Sequence, residues 1–314
     1  MHPDIRQQID QIAGDYLSGA TDITRRAAEM LASLPVYSDA TTSQAFRREL
    51  TVVARELAAA QPSMASLLSL VNRVLLAADE TDDFGRSLVA VQHAAEDFAT
   101  ALSRRPTQIA QTALPLVHDG ATIMTISSSS MVLAALQHAR EAGKDIRVIC
   151  LESRPQREGV EFAKLLAESG IHVTLVVDAA MAHFMKDVIL VIFGADTVLP
   201  KGLVNKIGTH AVALVADAHG VPAYGLAGTE KFLPASLLKR FEIEQQNPRE
   251  ILDEPAPAHT SATPSTSMNV INLYFDLTPL DLIAGIATEE GVLTPANIEE
   301  MLTGIEVHPA LLRS

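Results

Sequence analysis

Up to about residue 105 the apolar positions recur at helical spacing. Ile23, Ala27, Met30 and Leu31 fall three or four apart behind Asp22, whose carboxylate can cap a helix start. Pro35 is expected to stop that helix. A longer amphipathic segment covers residues 43–60 and ends at Pro62. Further helices are expected to start at Ser63 and at Asp83, the second reaching Ser103. At Pro106 the pattern changes to short apolar runs, residues 122–126, 145–151, 172–177 and 188–193. Helical stretches separate them, from Ser129 onward, over 160–168 and over 179–185. Residues 223–226 read as a fifth strand and 270–274 as the last, with two short helices behind it. Strands alternating with helices make βαβ units and a parallel sheet. The expectation is an α/β chain, with a helical N-terminal domain over 1–105 and a Rossmann-like, doubly wound, mostly parallel sheet over 106–314. A Pro/Ser/Thr/Ala-rich segment at about 248–268 reads as a flexible surface loop.

The densest chemistry follows one of these runs. Val188-Ile189-Leu190-Val191-Ile192-Phe193 has no polar position, as in a strand buried on both faces. Behind it come Gly194-Ala195-Asp196, a loop with Pro200 and Gly202, then Asn205-Lys206-Ile207-Gly208-Thr209. Thr209 opens a helix closed by Gly220 and Pro222. Open α/β sheets bind ligands beyond the carboxyl ends of their strands, so a carboxylate, an amide and an ammonium meet where a ligand is expected. Asp196 fits a general acid or base, or a cap for the next turn. Ser127, Ser128, Ser129 and Ser130 join the first strand to its helix. Four hydroxyls over free N–H groups can hold a phosphate, although a helix cap needs only one of them. Lys206, Lys231 and Arg154 can bind anions or simply face water.

Composition narrows the classes. Aromatic residues are 4% and Trp is absent, so Ala, Leu, Val and Ile must build the core. A net charge of −14 without a basic patch speaks against a nucleic-acid partner. Cys150 is the one cysteine, which excludes an internal disulfide, and within its apolar run it reads as a small core residue. None of the ten histidines has metal-ligand spacing, and there is no GxGxxG or Walker motif. Neither a metal nor another cofactor is expected. With no signal-like start and no apolar run of spanning length, the expectation is a cytoplasmic protein without a membrane partner.

Several segments together resemble one known family. They are Ser18-Gly19-Ala20, Asp119-Gly120-Ala121-Thr122-Ile123-Met124-Thr125, Glu152-Ser153-Arg154-Pro155 with Glu158-Gly159, and Gly194-Ala195-Asp196. Asn205-Lys206-Ile207-Gly208-Thr209, Thr229-Glu230-Lys231-Phe232, Phe275-Asp276-Leu277-Thr278-Pro279 and Thr288-Glu289-Glu290-Gly291 follow in order. The chain is similar to the family of the alpha, beta and delta subunits of eukaryotic translation initiation factor 2B, ribose-1,5-bisphosphate isomerase and methylthioribose-1-phosphate isomerase. The resemblance implies an N-terminal helical domain and a Rossmann-like domain that dimerises, giving a homodimer or higher homo-oligomer.

It also implies site residues. The isomerases use a Cys after the first sheet strand and an Asp in the Gly-Ala-Asp segment; here these positions are Ser127 and Asp196. Their phosphate-binding Arg before Gly-Ala is Ser18 here, next to Gly19. The sugar-phosphate contacts that carry over are Arg154, Asn205, Lys206, Lys231 and the turn of Ser127 to Ser130. A thiol titrates near ~8.5 and can be tuned lower, whereas an alcohol needs a strong base to lose its proton. The favoured expectation is therefore a non-catalytic protein like the regulatory subunits, binding a phosphorylated sugar or nucleotide. The alternative is an active aldose–ketose isomerase on a phosphorylated pentose, with Asp196 as acid and base and Ser127 orienting the substrate.

Overall fold

In the computed structural model, which describes residues 1–15, 18–243, 245–252 and 268–312, the chain begins with five helices. They are α1 (Pro3–Ala13), α2 (Ala20–Tyr37), α3 (Ser43–Ala60), α4 (Ala65–Asp79) and α5 (Phe84–Ala113). Thr42 and Asp83 start α3 and α5 by accepting from the N–H groups of Ala45 and Arg86. Two prolines fail to stop a helix as expected. Pro35 lies in the last turn of α2, and Pro106 lies inside α5, which runs on to Ala113. A proline costs one hydrogen bond and a local bend, and α5 is held by packing on α2, α4 and α6 on either side of that point. One helix thus bridges the position where the sequence pattern changes.

The sheet half follows as β1 (Thr122–Thr125), α6 (Ser130–Glu141), β2 (Arg147–Leu151), α7 (Glu158–Glu168), β3 (His172–Val176) and α8 (Met181–Phe184). Next come β4 (Leu190–Gly194), β5 (Thr197–Leu199), β6 (Gly202–Lys206), α9 (Thr209–Ala218), β7 (Ala223–Leu226) and β8 (Gln245–Gln246). The chain ends with β9 (Asn272–Leu273), β10 (Phe275–Pro279), β11 (Gly285–Thr288), β12 (Gly291–Leu293), α10 (Pro295–Gly304) and α11 (Pro309–Leu312). The main sheet has the order β12-β11-β7-β4-β1-β2-β3, parallel from β11 to β3 with an antiparallel edge at β12. Neighbours along one strand enter different cores. Ile123, Val148 and Ile192 pack with Leu136 of α6 and Phe162 of α7, whereas Met124, Ile149 and Val191 pack with Val212 of α9 and Leu302 of α10. That double burial is why these strands read as unbroken apolar runs.

Two features depart from the sequence expectation. The loop with Pro200 and Gly202 is a hairpin, β5 against β6, with Leu199 opposite Gly202 across the Pro200-Lys201 turn. Gly202 is required there because a Cβ would lie 2.3 Å from the Thr278 carbonyl oxygen of β10, which pairs on the other side of β6. The last strand expected over 270–274 is reduced to β9, and three more strands follow it, β10 beside β6 and then β11 and β12 in the main sheet. Their small residues, Gly285 and Ala287 among them, give little apolar signal. The loop expected at about 248–268 falls for residues 253–267 outside the described residues. The core of the helical half includes Leu199, Val204 and Leu233, so the two halves share apolar contacts through the hairpin. Thr197 adds polar ones, donating to the Ser63 carbonyl oxygen at 3.0 Å and accepting from the Ala65 N–H at 3.2 Å. Among the described residues no helix is long and apolar enough to cross a membrane.

Candidate functional site

β1 and β4 are neighbours, with Ile123 opposite Leu190 and Met124 opposite Val191, so their carboxyl ends open side by side. The strand order runs in opposite directions from this pair, which is where doubly wound sheets hold ligands. A cavity of about 460 Å³ lies there. It is lined by the turns after β1 and β4, by Asn205 and Lys206 of β6, and by Lys231. Gly19 and Asp22 reach it from the start of α2, and Tyr274 and Phe275 from the start of β10.

Two close approaches fix the surrounding turns. A Cβ on Gly194 would sit 2.7 Å from Ser129 Oγ, so glycine lets β4 end against the α6 cap. A Cβ on Gly159 would lie 1.9 Å from the Leu151 carbonyl oxygen. α7 therefore starts directly at the end of β2, and its first residue, Glu158, lines the cavity.

Ser127 has φ +68°, a left-handed backbone that residues other than glycine seldom adopt. Its N–H donates to Ser153 Oγ at 2.7 Å and its hydroxyl donates to Glu158 Oε1 at 2.9 Å. The same carboxylate oxygen is 2.6 Å from Lys206 Nζ, and Glu158 Oε2 is buried without a hydrogen-bond partner. Lys206 also lies 4.8 Å from the Tyr274 ring centroid. Ser129 caps α6, which leaves the hydroxyls of exposed Ser128 and Ser130 beside the free N–H groups of its first turn. Asn205 Nδ2 donates to Thr209 Oγ1 at 2.9 Å, and Lys231 Nζ donates to the Ala195 carbonyl oxygen at 2.5 Å. Lys206 and Lys231 are both buried.

Asp196 follows β4 directly. Burial pushes its carboxyl above the ordinary carboxylate range, the nearby charge of Glu158 adds to that, and the ammonium groups of Lys231 and Lys206 pull against it. A carboxyl shifted in this direction keeps its proton more readily than a free one, which suits a general acid.

Of the residues expected at the site, Ser127, Ser128, Ser129, Ser130, Asp196, Asn205, Lys206, Lys231 and Gly19 all line the cavity. Arg154 does not. Its N–H and that of Ser153 donate to Asp178 after β3, at 2.7 and 2.8 Å, and its guanidinium approaches the Ile251 carbonyl oxygen at 3.5 Å. This anchoring turns Arg154 toward the segment that holds Ile251 and leaves Gln156 and Glu158 to face the cavity. The sequence reading missed Gln156, Glu158 and Tyr274 as site residues. Tyr274 Oη donates to Glu250 Oε2 at 2.5 Å and accepts from Gln156 Nε2 at 2.7 Å; burial and Glu250 push its phenol above the ordinary range. A signal for Glu158 did exist, since it shares a short segment with Arg154 and opens a helix beside a strand end. Cys150 is a core residue of β2 whose thiol burial pushes up to about 12.

Comparison with known proteins bears on the same residues. The model of the initiation factor 2 subunit family matches residues 17–295. The chain is 34% identical over 300 residues to the ribose 1,5-bisphosphate isomerase of Haloferax volcanii, covering 95% of this chain and 91% of the relative. It is 32% identical over 305 residues to the methylthioribose-1-phosphate isomerase of Bacillus licheniformis, covering 93% and 85%. The crystal structure of the translation initiation factor eIF-2B of Pyrococcus horikoshii superposes with a TM-score of 0.77 at 26% identity, over 94% of this chain and 98% of that one. The family match spans nearly the whole chain and takes in both Ser127 and Asp196: the protein belongs to the initiation factor 2 subunit family.

Proposed function

We propose that this protein is an active isomerase of a ribose phosphorylated at C1, of the ribose 1,5-bisphosphate or methylthioribose 1-phosphate type. This replaces the expectation of a non-catalytic binder. That expectation rested on Ser127 in place of a thiol, whereas relatives aligned over nine-tenths of the chain include isomerases by name, beside a putative eIF-2B subunit. The observation that carries the reading is the charge arrangement at the two strand ends. Two buried ammonium groups, Lys206 and Lys231, face one ion-paired carboxylate and one carboxyl that burial disposes to keep its proton. The wall also carries Asp15, paired with Arg26, and the exposed Asp22 and Glu161, so the two lysines are the buried cations that the cavity offers an anion. Its phosphate groups would meet the α6 N-terminus with Ser128 and Ser130, and the two lysines; charge-assisted contacts of this kind are worth ~1.5–3 kcal/mol each.

The chemistry follows from the substrate class. Phosphate on the C1 oxygen prevents opening to a free aldehyde, so the C1–ring oxygen bond must break as the C2 proton leaves. A protonated Asp196 supplies the acid for the ring oxygen. The reading also takes the protein to be a homodimer, on the family resemblance alone. The test is turnover. Purified protein given ribose 1,5-bisphosphate or methylthioribose 1-phosphate should form the ketose 1-phosphate, and Asp196→Asn should lower kcat by ~10²–10⁴-fold. Wild-type protein that binds these sugars without converting either would return the reading to a binder.

A further inference from the structure

Glu158 occupies a position that neither the fold nor the relatives' names explain. It is the first residue of α7, brought to the cavity because Gly159 packs against the Leu151 carbonyl oxygen. Its Oε1 takes both available donors, the Ser127 hydroxyl at 2.9 Å and Lys206 Nζ at 2.6 Å. Its Oε2 is buried with no partner in a cavity-lining side chain. Held rigidly by one oxygen and idle at the other, it faces Asp196, whose carboxyl senses its charge.

We infer that Glu158 is the second proton-transfer group of the isomerisation, taking the role that a thiol on the β1 turn would otherwise fill, and that Ser127 is the positioning residue that aims it. The inference rests on the isomerase reading. The step balances without any added reagent. Asp196 gives its proton to the ring oxygen as the C1–O bond breaks, and Glu158 takes the proton from C2. The C2–H electron pair becomes the C1=C2 bond of an enol that still carries its phosphate on C1. The C2 hydroxyl proton then passes to Asp196, and the proton on Glu158 goes to C1. The product is a ketone at C2, and both carboxyl groups are as they began. Ser127 needs no deprotonation in this scheme, which removes the objection that an alcohol cannot stand in for a thiol. Its left-handed backbone serves to turn the hydroxyl onto Glu158.

The test is Glu158→Gln, which keeps the shape and removes the charge. With whichever of ribose 1,5-bisphosphate and methylthioribose 1-phosphate the wild type converts, kcat should fall ~10²–10⁴-fold. Calorimetric affinity for the same sugar phosphate should stay equal or tighten, because an anion beside Lys206 has gone. A residue that only holds Lys206 in place would move affinity and kcat down together, and that result overturns the inference. So does turnover within tenfold of wild type while Asp196→Asn is inactive, an outcome that leaves the isomerase reading standing. A wild type inactive on both sugars fails the reading itself and this inference with it. If Glu158→Gln does not fold, Glu158→Asp, which withdraws the charge by one methylene, should lose at least tenfold in kcat with affinity kept; unchanged kcat would then overturn the assignment.

Discussion

Two clusters in this protein set carboxyl groups against cations, and consecutive residues of one turn serve them both. Lys231 reaches into the strand-end cavity, while its neighbour Glu230 turns the other way to Arg105. In that second cluster Arg105, inside α5, lies 2.9 Å from Glu230 Oε2 and 2.8 Å from Glu289 Oε1. Glu289 also accepts from the Thr229 hydroxyl at 2.7 Å and from its N–H at 3.1 Å. A planar guanidinium answering two acids at once is how buried ion pairs offset their desolvation. The strand-end cluster is built otherwise. Its cations are point-charge ammonium groups, Glu158 keeps one idle oxygen, and among the described residues nothing donates a hydrogen bond to the Asp196 carboxyl. The Arg105 cluster also leaves Arg105 Nη1 and both Glu230 oxygens buried without a hydrogen-bond partner, but each of its acids is ion-paired to the guanidinium, whereas in the strand-end cluster Asp196 has neither an ion pair nor a hydrogen-bond donor among the described residues.

Removing the cation from each cluster should separate them most. Arg105→Met leaves Glu230 and Glu289 buried together without the guanidinium that pairs with both, and breaking a buried pair in this way costs ~3–5 kcal/mol. Lys206→Met leaves Glu158 with the Ser127 hydroxyl at the edge of a cavity and should cost clearly less. Urea unfolding of the two variants measures the difference. Equal losses would mean that the strand-end cluster is as structural as the other.

A smaller effect is expected at Glu289. Burial opposes its ionisation, but the Thr229 hydrogen bonds and the Arg105 guanidinium outweigh it and hold its carboxyl below the ordinary value. A carboxyl lowered on folding contributes stability above its unfolded value, near ~4.3, and loses it as pH falls through the folded one. Glu289→Gln should therefore lower Tm at neutral pH by the equivalent of ~1–3 kcal/mol, with the deficit closing below about pH 4. Melting curves across pH check it; a deficit that persists unchanged into acid would mean that shape, not charge, makes the contact.

The two clusters were unequally legible in the sequence. The strand-end site could be found because Asp196, Asn205 and Lys206 follow an unbroken apolar run, and that run is the part of the pattern set by double burial. Glu158 escaped because its place depends on how closely α7 starts against β2, a packing fact expressed through Gly159 and not through periodicity. The Arg105 cluster was invisible for a different reason. Arg105, Glu230 and Glu289 lie far apart in the chain and meet only once α5 packs on the sheet. Pro106, next to Arg105, reads as a boundary, yet α5 carries it through because neighbours on both sides hold the helix. The hairpin of β5 and β6 reads as a loop in the sequence, since Pro200 and Gly202 are equally at home in either.

The last prediction uses Asp196 to turn the comparison around. Burial raises its carboxyl, the reverse of Glu289, and the pull of two lysines does not cancel that rise. A carboxyl raised on folding contributes fully only below its unfolded value, near ~3.9, and that contribution is lost as pH climbs through the folded one. At neutral pH the folded state then bears a cost, either of holding a charge away from water or of taking up a proton that the unfolded chain has released. Asp196→Asn keeps the shape without a titratable group. It should stabilise the protein at pH 7 by an amount on the order of 1 kcal/mol, and the gain should shrink toward pH 4 and vanish below it, once the unfolded carboxyl is protonated as well. The variant that stops turnover would thus be the more stable protein, as expected where a fold bears strain for its chemistry. Melting temperatures of wild type and Asp196→Asn from pH 4 to 8 decide it. A variant less stable at pH 7 than at pH 4, relative to wild type, would place Asp196 with Glu289 among the structural ion pairs and end the distinction between the clusters.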